Sequence, residues 1–576
     1  MGMEIKEQIK NLIRQTCGAL GWEIPVFTLE HPDVMAHGDW ATNVALALSK
    51  QLKKSPVEVA KQIVEKLEVL RQAQDDGNIQ KISIAGPGFI NFYLSSEYFA
   101  RGVKEILKQK ENYGKKQETF WKKLFNNQKV IVEYSSPNIA KPFTIGHLRS
   151  TIIGDAVANI LEFNGKKVIR DNHLGDWGTQ FGKLIVALKK WSNIEKIEKS
   201  EKPIKDLVGL YVKFHDEAEK DISLEDEGRA YFAKLEKGDK EAREIWQKCV
   251  VLSLKEFARI YKILNIRFDT NYGESFYEDK MADVIIDVKK AGIARESEGA
   301  YLVFFKDEKY PPLMLLKSDG SSLYGLRDLA ADKWRKKKYG KDTIIINEVG
   351  MEQELQFKQL FETEKLLNYV KEGERVHIAH GLYRFKEGKM STRTGNVIWL
   401  DDVITEAIER AGKINKETAE VVAIGALKFN DLKREAKGDI NFDWDEILNL
   451  KGDSGPYLQY ACVRAGSILT KAKKEGIGAE VSGEVSSIKY LVSGELSKLL
   501  IRFPEIVERA GKEYAPHYLA TYLTELASAF STFYASETVV DKNDKNSSAK
   551  VALVEAFSLV MKNGLNLLGI KVPAKM

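Results

Sequence analysis

The chain has 576 residues, 44% of them hydrophobic and 30% charged, with 88 Lys and Arg against 83 Asp and Glu for a net charge of +5. That length exceeds what one hydrophobic core serves, so two to four domains are expected, and the make-up is that of a soluble globular protein rather than a disordered or fibrous one. The small basic surplus permits nucleic-acid binding without requiring it. Cys17, Cys249 and Cys462 are far apart with no CxxC spacing, which argues against a disulfide framework or a Cys-based zinc site and fits a reducing compartment. The start, Met1-Gly-Met-Glu-Ile-Lys6, lacks an apolar secretory core and no long uncharged apolar run occurs, so no membrane association and a cytoplasmic location are the expectation.

Residues 1–110 read as a separate α+β unit. Ile5, Ile9, Leu12 and Ile13 form a helical stripe, a second runs from Val44 to Leu67 with Ser55-Pro56 as a start signal, and Lys81–Leu94 reads as two β runs around Gly86-Pro87-Gly88. Lys104–Asn127 is a charged helix end leading into a linker. From 125 to 450 the pattern is that of a Rossmann-like, parallel-sheet α/β domain. Lys129–Tyr134 is a buried-strand candidate, a helix follows from about Gly146 to Phe163 with Asn164-Gly165 as its cap, and Lys167–Arg170 resumes as a strand, making a β-α-β unit. A charged, periodic helical insertion occupies about 185–265, and strand-like runs at Ala300–Phe305, Thr343–Asn347 and Arg375–Ala379 are expected to complete the sheet. Residues 452–576 read as an all-α helix bundle, with Lys473–Ser487 and Asp541–Ser548 as exposed loops.

Two segments carry chemistry. Gly146-His147 falls at a helix N-terminus, where backbone N–H groups and the helix dipole favour phosphate, although a bare helix cap fits that segment alone about as well. Lys386, Lys389 and Arg393 stand among Gly388, Ser391, Thr392, Thr394, Gly395 and Asn396 in a basic loop able to close on a triphosphate and stabilise departing pyrophosphate. By itself that loop reads by default as a solvated surface turn. Neither a Walker A loop nor a GxGxxG is present.

Thr144-Ile-Gly-His147 and Lys389-Met-Ser-Thr-Arg393 resemble the HIGH and KMSKS elements of class I aminoacyl-tRNA synthetases. Glu133–Pro142, Gly146–Asp155 and Asn172–Gly182 resemble the arginyl-tRNA synthetase family in particular, and the likeness extends over essentially the whole chain. Gly38–Asn43 and Ala85–Asn91 are similar to the family's N-terminal tRNA-binding domain, and Ser454–Tyr460 and Gly569–Met576 to its helical anticodon-binding domain.

The resemblance implies that ATP, L-arginine and tRNA(Arg) give arginyl-tRNA, AMP and pyrophosphate through an arginyl-adenylate, with tRNA needed for activation. It implies Mg2+ accompanying ATP, no dedicated protein metal site, and a monomer. It assigns Glu133, Tyr324 and Asp328 to the guanidinium, a planar cation that two carboxylates and a phenol suit physically. Asn138 and Gln353 go to the other end of arginine. It assigns Gly146, His147, His377, Gly381 and Met390 to ATP, and His147, Lys141, Thr144, Lys389, Ser391 and Arg393 to catalysis. Tyr457, Tyr460, Arg464 and Tyr534 are candidates for tRNA contact, since aromatics beside a basic group are what RNA recognition uses; a stripe of aromatics is also commonly core, and Phe533 is read so. For Asp328 an ordinary pairing with Arg327 or Lys333 is the plain alternative. Three departures stand out. Thr144 replaces the first histidine of HIGH, Thr392 the second lysine of KMSKS, and His380 occupies a position that is usually aromatic, where it could stack on adenine or be structural. Lys141 with Lys389 is the pair expected to restore the missing charge.

Overall fold

A computed structural model describes residues 2–73, 77–116, 128–385, 398–413, 415–481 and 494–576. In the N-terminal unit, helix Gly2–Ala19 buries Ile5, Ile9, Leu12 and Ile13. It lies with helices Val44–Leu52 and Pro56–Ala73 against an antiparallel sheet of β1 (Leu29–Glu30), β2 (Trp40–Thr42), β3 (Ile79–Ala85) and β4 (Phe89–Leu94), ordered β1-β2-β4-β3. The expected turn joins β3 to β4: Gly86 and Gly88 have φ of +51° and +126°, and a Cβ on Gly88 would sit 2.8 Å from Pro56.

The central sheet is parallel, ordered β11-β10-β5-β6, from β5 (Lys129–Glu133), β6 (Lys167–Asp171), β10 (Ile344–Gly350) and β11 (Arg375–His380). Helix Ile145–Phe163 is the crossover from β5 to β6, buried through Leu148, Ile152, Ala156 and Ile160 and closed at Asn164, with Gly165 at φ +81°. Mid-helix Gly154 lets it approach the end of β5, because a Cβ there would lie 2.2 Å from the Tyr134 side chain. The insertion is helical as expected, with Thr179–Trp191, Pro203–Ala218, Ser223–Glu236 and Lys240–Leu264 as its long members.

One strand expectation fails. Ala300–Val303 (β8) is not in the parallel sheet; it pairs antiparallel with β7 (Ala294–Ser297) and β9 (Leu313–Leu316) in a separate three-stranded sheet. Glu298 and Gly299, at φ +50° and +78°, form a two-residue turn of the kind that closes tight hairpins, and it commits β8 to its neighbour β7.

The last section is helical: Gly455–Lys474, Glu495–Lys512, His517–Ser536 and Ser547–Leu567. The Ser454 hydroxyl caps the first, accepting from Tyr457 N–H, and Pro456 occupies its first turn. The expected loop 541–548 is not exposed throughout: Ser547 is buried, starts the final helix and donates to the Val539 carbonyl at 2.7 Å. Ile501 from this bundle is buried in the N-terminal unit's core, and Lys498 pairs with Asp39 at 2.8 Å, so the first and last parts of the chain pack together.

Candidate active site

A cleft of about 560 Å3 opens at the carboxyl ends of the parallel strands, where parallel α/β sheets place their ligands. Its floor is the turn after β5. Ser135 and Ser136 have φ of +69° and +43°, a left-handed conformation that non-glycine residues hold only when their surroundings enforce it. Here Ser135 N–H donates to Ser150 Oγ at 2.9 Å and Ser136 N–H to Asn172 Oδ1 at 3.2 Å. The turn thereby presents Glu133 and Asn138 to the cleft. Gly175 packs against Asn138 so closely that a Cβ would be 2.1 Å from its Oδ1.

One end of the cleft is acidic. Glu133 is buried against Arg335, whose Nη2 is 2.6 Å from Oε2; Arg335 also pairs with Asp171 and, at 2.8 Å, with Asp332. Burial pushes the Glu133 carboxyl up, but the Arg335 charge, His173 and a hydrogen bond from Asn347 together outweigh it and hold the group below the usual carboxylate range. Among the described residues Asp328 has no such cation. Burial, with the charges of Glu133, Asp332 and Glu274, drives its carboxyl up to about 7 against the opposing His173, and its hydrogen bond among the described residues comes from Gln356 Nε2 at 3.2 Å. The plain alternative for Asp328 is absent: Arg327 pairs with Glu274 at 2.7 Å and Lys333 with Asp287 at 2.6 Å. Tyr324, 59% exposed, lies one turn before Asp328 on helix Tyr324–Tyr339, and Gln353 lines the same cleft.

Four further residues line this region without having been singled out as ligands: His173, Glu274, Gln356 and Glu348. Both ring nitrogens of His173 are buried without a partner among the described residues. His173 falls inside the Asn172–Gly182 segment, whose family likeness could have found it; Glu274 starts a 3-10 turn, Glu348 is on β10 and Gln356 on helix Glu354–Leu366, and no local pattern marks these three.

The other end holds the N-terminus of helix Ile145–Phe163, with Thr144, Gly146 and His147 on the lining. The Thr144 backbone N–H donates to His147 Nδ1 at 3.1 Å, and its hydroxyl lies 2.9 Å from the same atom. Burial takes the His147 imidazole down to about 4, so it is neutral at pH 7; with Nδ1 accepting, the proton resides on Nε2 as a donor. Gly146 is exposed, and the nearest atom to a Cβ on it would be Thr144 Oγ1 at 3.5 Å. Nothing among the described residues demands glycine there, which is what close approach of a ligand would produce.

Three expected residues stand apart. Lys141 is half-buried on the preceding loop, outside the cleft lining. His377 stacks on Phe357 with ring centres 4.6 Å apart and borders a different, smaller pocket, because its spacing of three from His380 puts it on the opposite face of β11. Gly381 packs against Asp439 and Gly438, 2.7 Å from a Cβ position. Lys389, Met390, Ser391, Thr392 and Arg393 lie outside the described residues.

On the C-terminal bundle, Arg464 Nη2 donates to Tyr460 Oη at 3.0 Å, and its guanidinium lies 4.7 Å and 5.2 Å from the rings of Tyr460 and Tyr534. Both tyrosines are exposed, at 39% and 42%. Tyr457 is half-buried and bonded to Ser531 at 3.3 Å, and Phe533 packs on the core.

Residues 102–444 match the family model described as tRNA synthetases class I (R), catalytic domain, residues 3–94 the arginyl tRNA synthetase N terminal domain, and residues 458–576 the DALR anticodon binding domain. The arginine–tRNA ligase of Clostridium botulinum is 40% identical over 586 residues, covering 100% of both chains, and that of Clostridium acetobutylicum 40% over 563 residues, covering 95% of this chain and 96% of its own. The chain belongs to the arginyl-tRNA synthetase family. The fold of the family's solved members is the same: the Plasmodium falciparum arginyl-tRNA synthetase superposes with a TM-score of 0.79 at 24% identity over 99% of each chain. The Thermus thermophilus enzyme gives 0.78 at 24% over 99% of this chain and 100% of its own.

Two larger cavities, of about 790 and 730 Å3, border Asp155 and Arg267 and the helix around Cys462, and neither is lined by any of the expected site residues. Among the described residues no helix is long and apolar enough to cross a membrane, and no group of three or more His, Cys, Asp or Glu is placed to hold a metal ion.

Proposed function

We propose that this chain joins L-arginine to tRNA(Arg), consuming ATP and releasing AMP and pyrophosphate through an arginyl-adenylate. The observation that carries the reading is Asp328, a half-buried carboxylate on the cleft wall with no ion pair among the described residues and its acidity weakened to about 7. A group held in that state is stabilised by a cation that arrives with the substrate. Glu133, already ionised by Arg335, forms the second acidic wall, and Tyr324 adds a phenol. A guanidinium spans them with its five N–H donors, whereas a lysine ammonium has three and a different shape, leaving part of the fork unpaired at about 1–3 kcal/mol for each buried polar group.

Asn138 and Gln353 hold the amino and carboxylate end. ATP, as its Mg2+ complex, lays its phosphates across Gly146 and the Nε2–H of His147 at the helix N-terminus. A carboxylate oxygen of arginine then attacks the α-phosphorus, the bond to the β-phosphate oxygen breaks, and pyrophosphate leaves; the segment Lys389–Arg393, with Lys141, supplies cations for the departing charge. The terminal ribose hydroxyl of tRNA next attacks the activated carbonyl and AMP leaves. Tyr460, Arg464 and Tyr534 form an exposed aromatic and basic face for RNA bases, and Tyr457 supports it from behind. The enzyme works in this reading as a cytoplasmic monomer, with residues 1–110, 125–450 and 452–576 as its three domains.

Arginine-dependent exchange of pyrophosphate into ATP, with and without tRNA(Arg), is the test. Exchange requiring arginine and tRNA supports the reading, and the absence of exchange in both conditions with arginine binding retained would replace it with an arginine-binding homologue lacking activity, the outcome that Thr144 and Thr392 would then explain.

A further inference from the structure

The nucleotide end of the cleft contains an ion pair that the reaction as derived leaves unused. Glu348 and His380 stand on adjacent parallel strands whose register sets Glu348 beside Ile378 and Gly350 beside His380, a diagonal that long side chains can bridge. His380 Nδ1 donates to Glu348 Oε1 at 2.8 Å. The Glu348 side chain is fully buried and its Oε2 has no partner among the described residues. A buried carboxylate of this kind is costly unless a cation compensates it. Both residues line the cleft together with Thr144, Gly146 and His147, and Ser150 Oγ donates to the Glu348 carbonyl at 2.9 Å, tying this strand to the helix that carries His147.

We propose that His380, held by Glu348, is a further ATP-contacting residue whose Nε2–H donates to a phosphate oxygen of the nucleotide and supplies charge that Thr144 and Thr392 do not. This rests on ATP being the substrate, as inferred above. The groups around His380 are Glu348 on β10, His147 and Arg149 on helix Ile145–Phe163 and Asp431 on helix Ala419–Leu432, while His377 on its own strand points to the opposite face. Arg149 is engaged elsewhere, at 3.3 Å from Asp431 and donating to the Gly438 and Ala436 carbonyls at 2.8 and 3.0 Å, so it is not available to the nucleotide. His147 is neutral. Burial lowers the His380 basicity, but the Glu348 charge and hydrogen bond outweigh it and leave the imidazole more basic than usual. The Nδ1–H thus neutralises Glu348 while the second N–H carries a positive edge toward the cleft.

The test compares wild type with His380→Phe, His380→Gln and Glu348→Gln, reading pyrophosphate exchange with tRNA(Arg) against pH and, separately, equilibrium binding of ATP by calorimetry. Loss of a charge-assisted hydrogen bond raises the ATP KM and Kd roughly tenfold or more in both His380 variants, with the arginine KM within about twofold of wild type. Because Glu348 raises the basicity of His380, ATP binding is retained below that raised value and lost as pH climbs through it; Glu348→Gln moves this alkaline limb to lower pH. Unchanged ATP parameters in both His380 variants, or an unmoved limb in a folded Glu348→Gln, would overturn the proposal. Should the phenylalanine variant not fold, the other two decide. The calorimetric arm separates the inferences: weakened ATP binding in a protein with no exchange keeps His380 and rejects the ligase reading.

Discussion

At the residue scale the site turns on how each ionisable group is held before substrate arrives. With its carboxyl at about 7, Asp328 is roughly half protonated at neutral pH, and arginine binding must expel that proton. Calorimetry of arginine binding at pH 7 in buffers of different ionisation enthalpy is expected to show release of about half a proton, with affinity falling as pH drops below 7, approaching tenfold per unit. Absence of any proton release would remove Asp328 from the guanidinium site. The same group weakens the free fold. Its acidity is unperturbed in the unfolded chain, near 3.9, so the penalty is absent below that pH, grows as pH rises and is complete above about 7. Asp328→Asn keeps a partner for Gln356 and removes the penalty, so it is expected to stabilise the protein at pH 8 by on the order of 2–4 kcal/mol while abolishing arginine binding. Gly146→Ala poses the converse case: with Thr144 Oγ1 at 3.5 Å the nearest atom to the new methyl among the described residues, its melting temperature is expected to stay within about 1 °C of wild type or rise slightly, while the ATP KM rises several-fold.

At the scale of elements, the helix from Ile145 to Phe163 and the strands beside it are legible because their apolar spacing reports burial directly, and the helix cap at Asn164-Gly165 is visible in the residue types. Partner choice is not. An apolar run such as Ala300–Val303 carries no mark of which sheet receives it, and only the left-handed pair Glu298-Gly299 commits it to β7. The same limit governs the site. Glu133, Asn138, Thr144, Gly146, His147, Tyr324, Asp328 and Gln353 all reach one cleft, whereas His377 and Gly381 do not, because strand alternation lets His380 face it and turns His377 away. Arg335, which keeps Glu133 ionised, is invisible in sequence: it lies far along the chain from Glu133 in a run of basic residues that reads as a solvated helix face. The closeness of helix and strand is testable. Gly154→Ala sets a methyl 2.2 Å from Tyr134 and is expected to cost about 1–3 kcal/mol in urea unfolding, with a drop in activity as His147 shifts; wild-type stability would mean that the helix is free to move.

At the scale of the whole molecule, the C-terminal bundle packs on both the N-terminal unit and the helices behind the cleft. Ile501 fills the N-terminal core, with a Cβ on Gly102 placed 2.4 Å from it, and Lys428 reaches from helix Ala419–Leu432 to the Gly569 carbonyl at 2.9 Å beside Asp155 of the His147 helix. The aromatic face of Tyr460, Arg464 and Tyr534 belongs to the same helical bundle, whose helix Gly455–Lys474 packs on helix Ala419–Leu432. In the proposed function the protein charges tRNA(Arg) with arginine selected by a carboxylate that has no counter-ion among the described residues. The direct measurement is charging of tRNA(Arg) with arginine and with lysine at pH 8 by wild type and by Asp328→Asn. Wild type is expected to charge arginine and not lysine, and Asp328→Asn to lose about a hundredfold or more in kcat/KM for arginine while remaining folded. Charging of arginine by Asp328→Asn at the wild-type rate, or no charging by wild type, would contradict it.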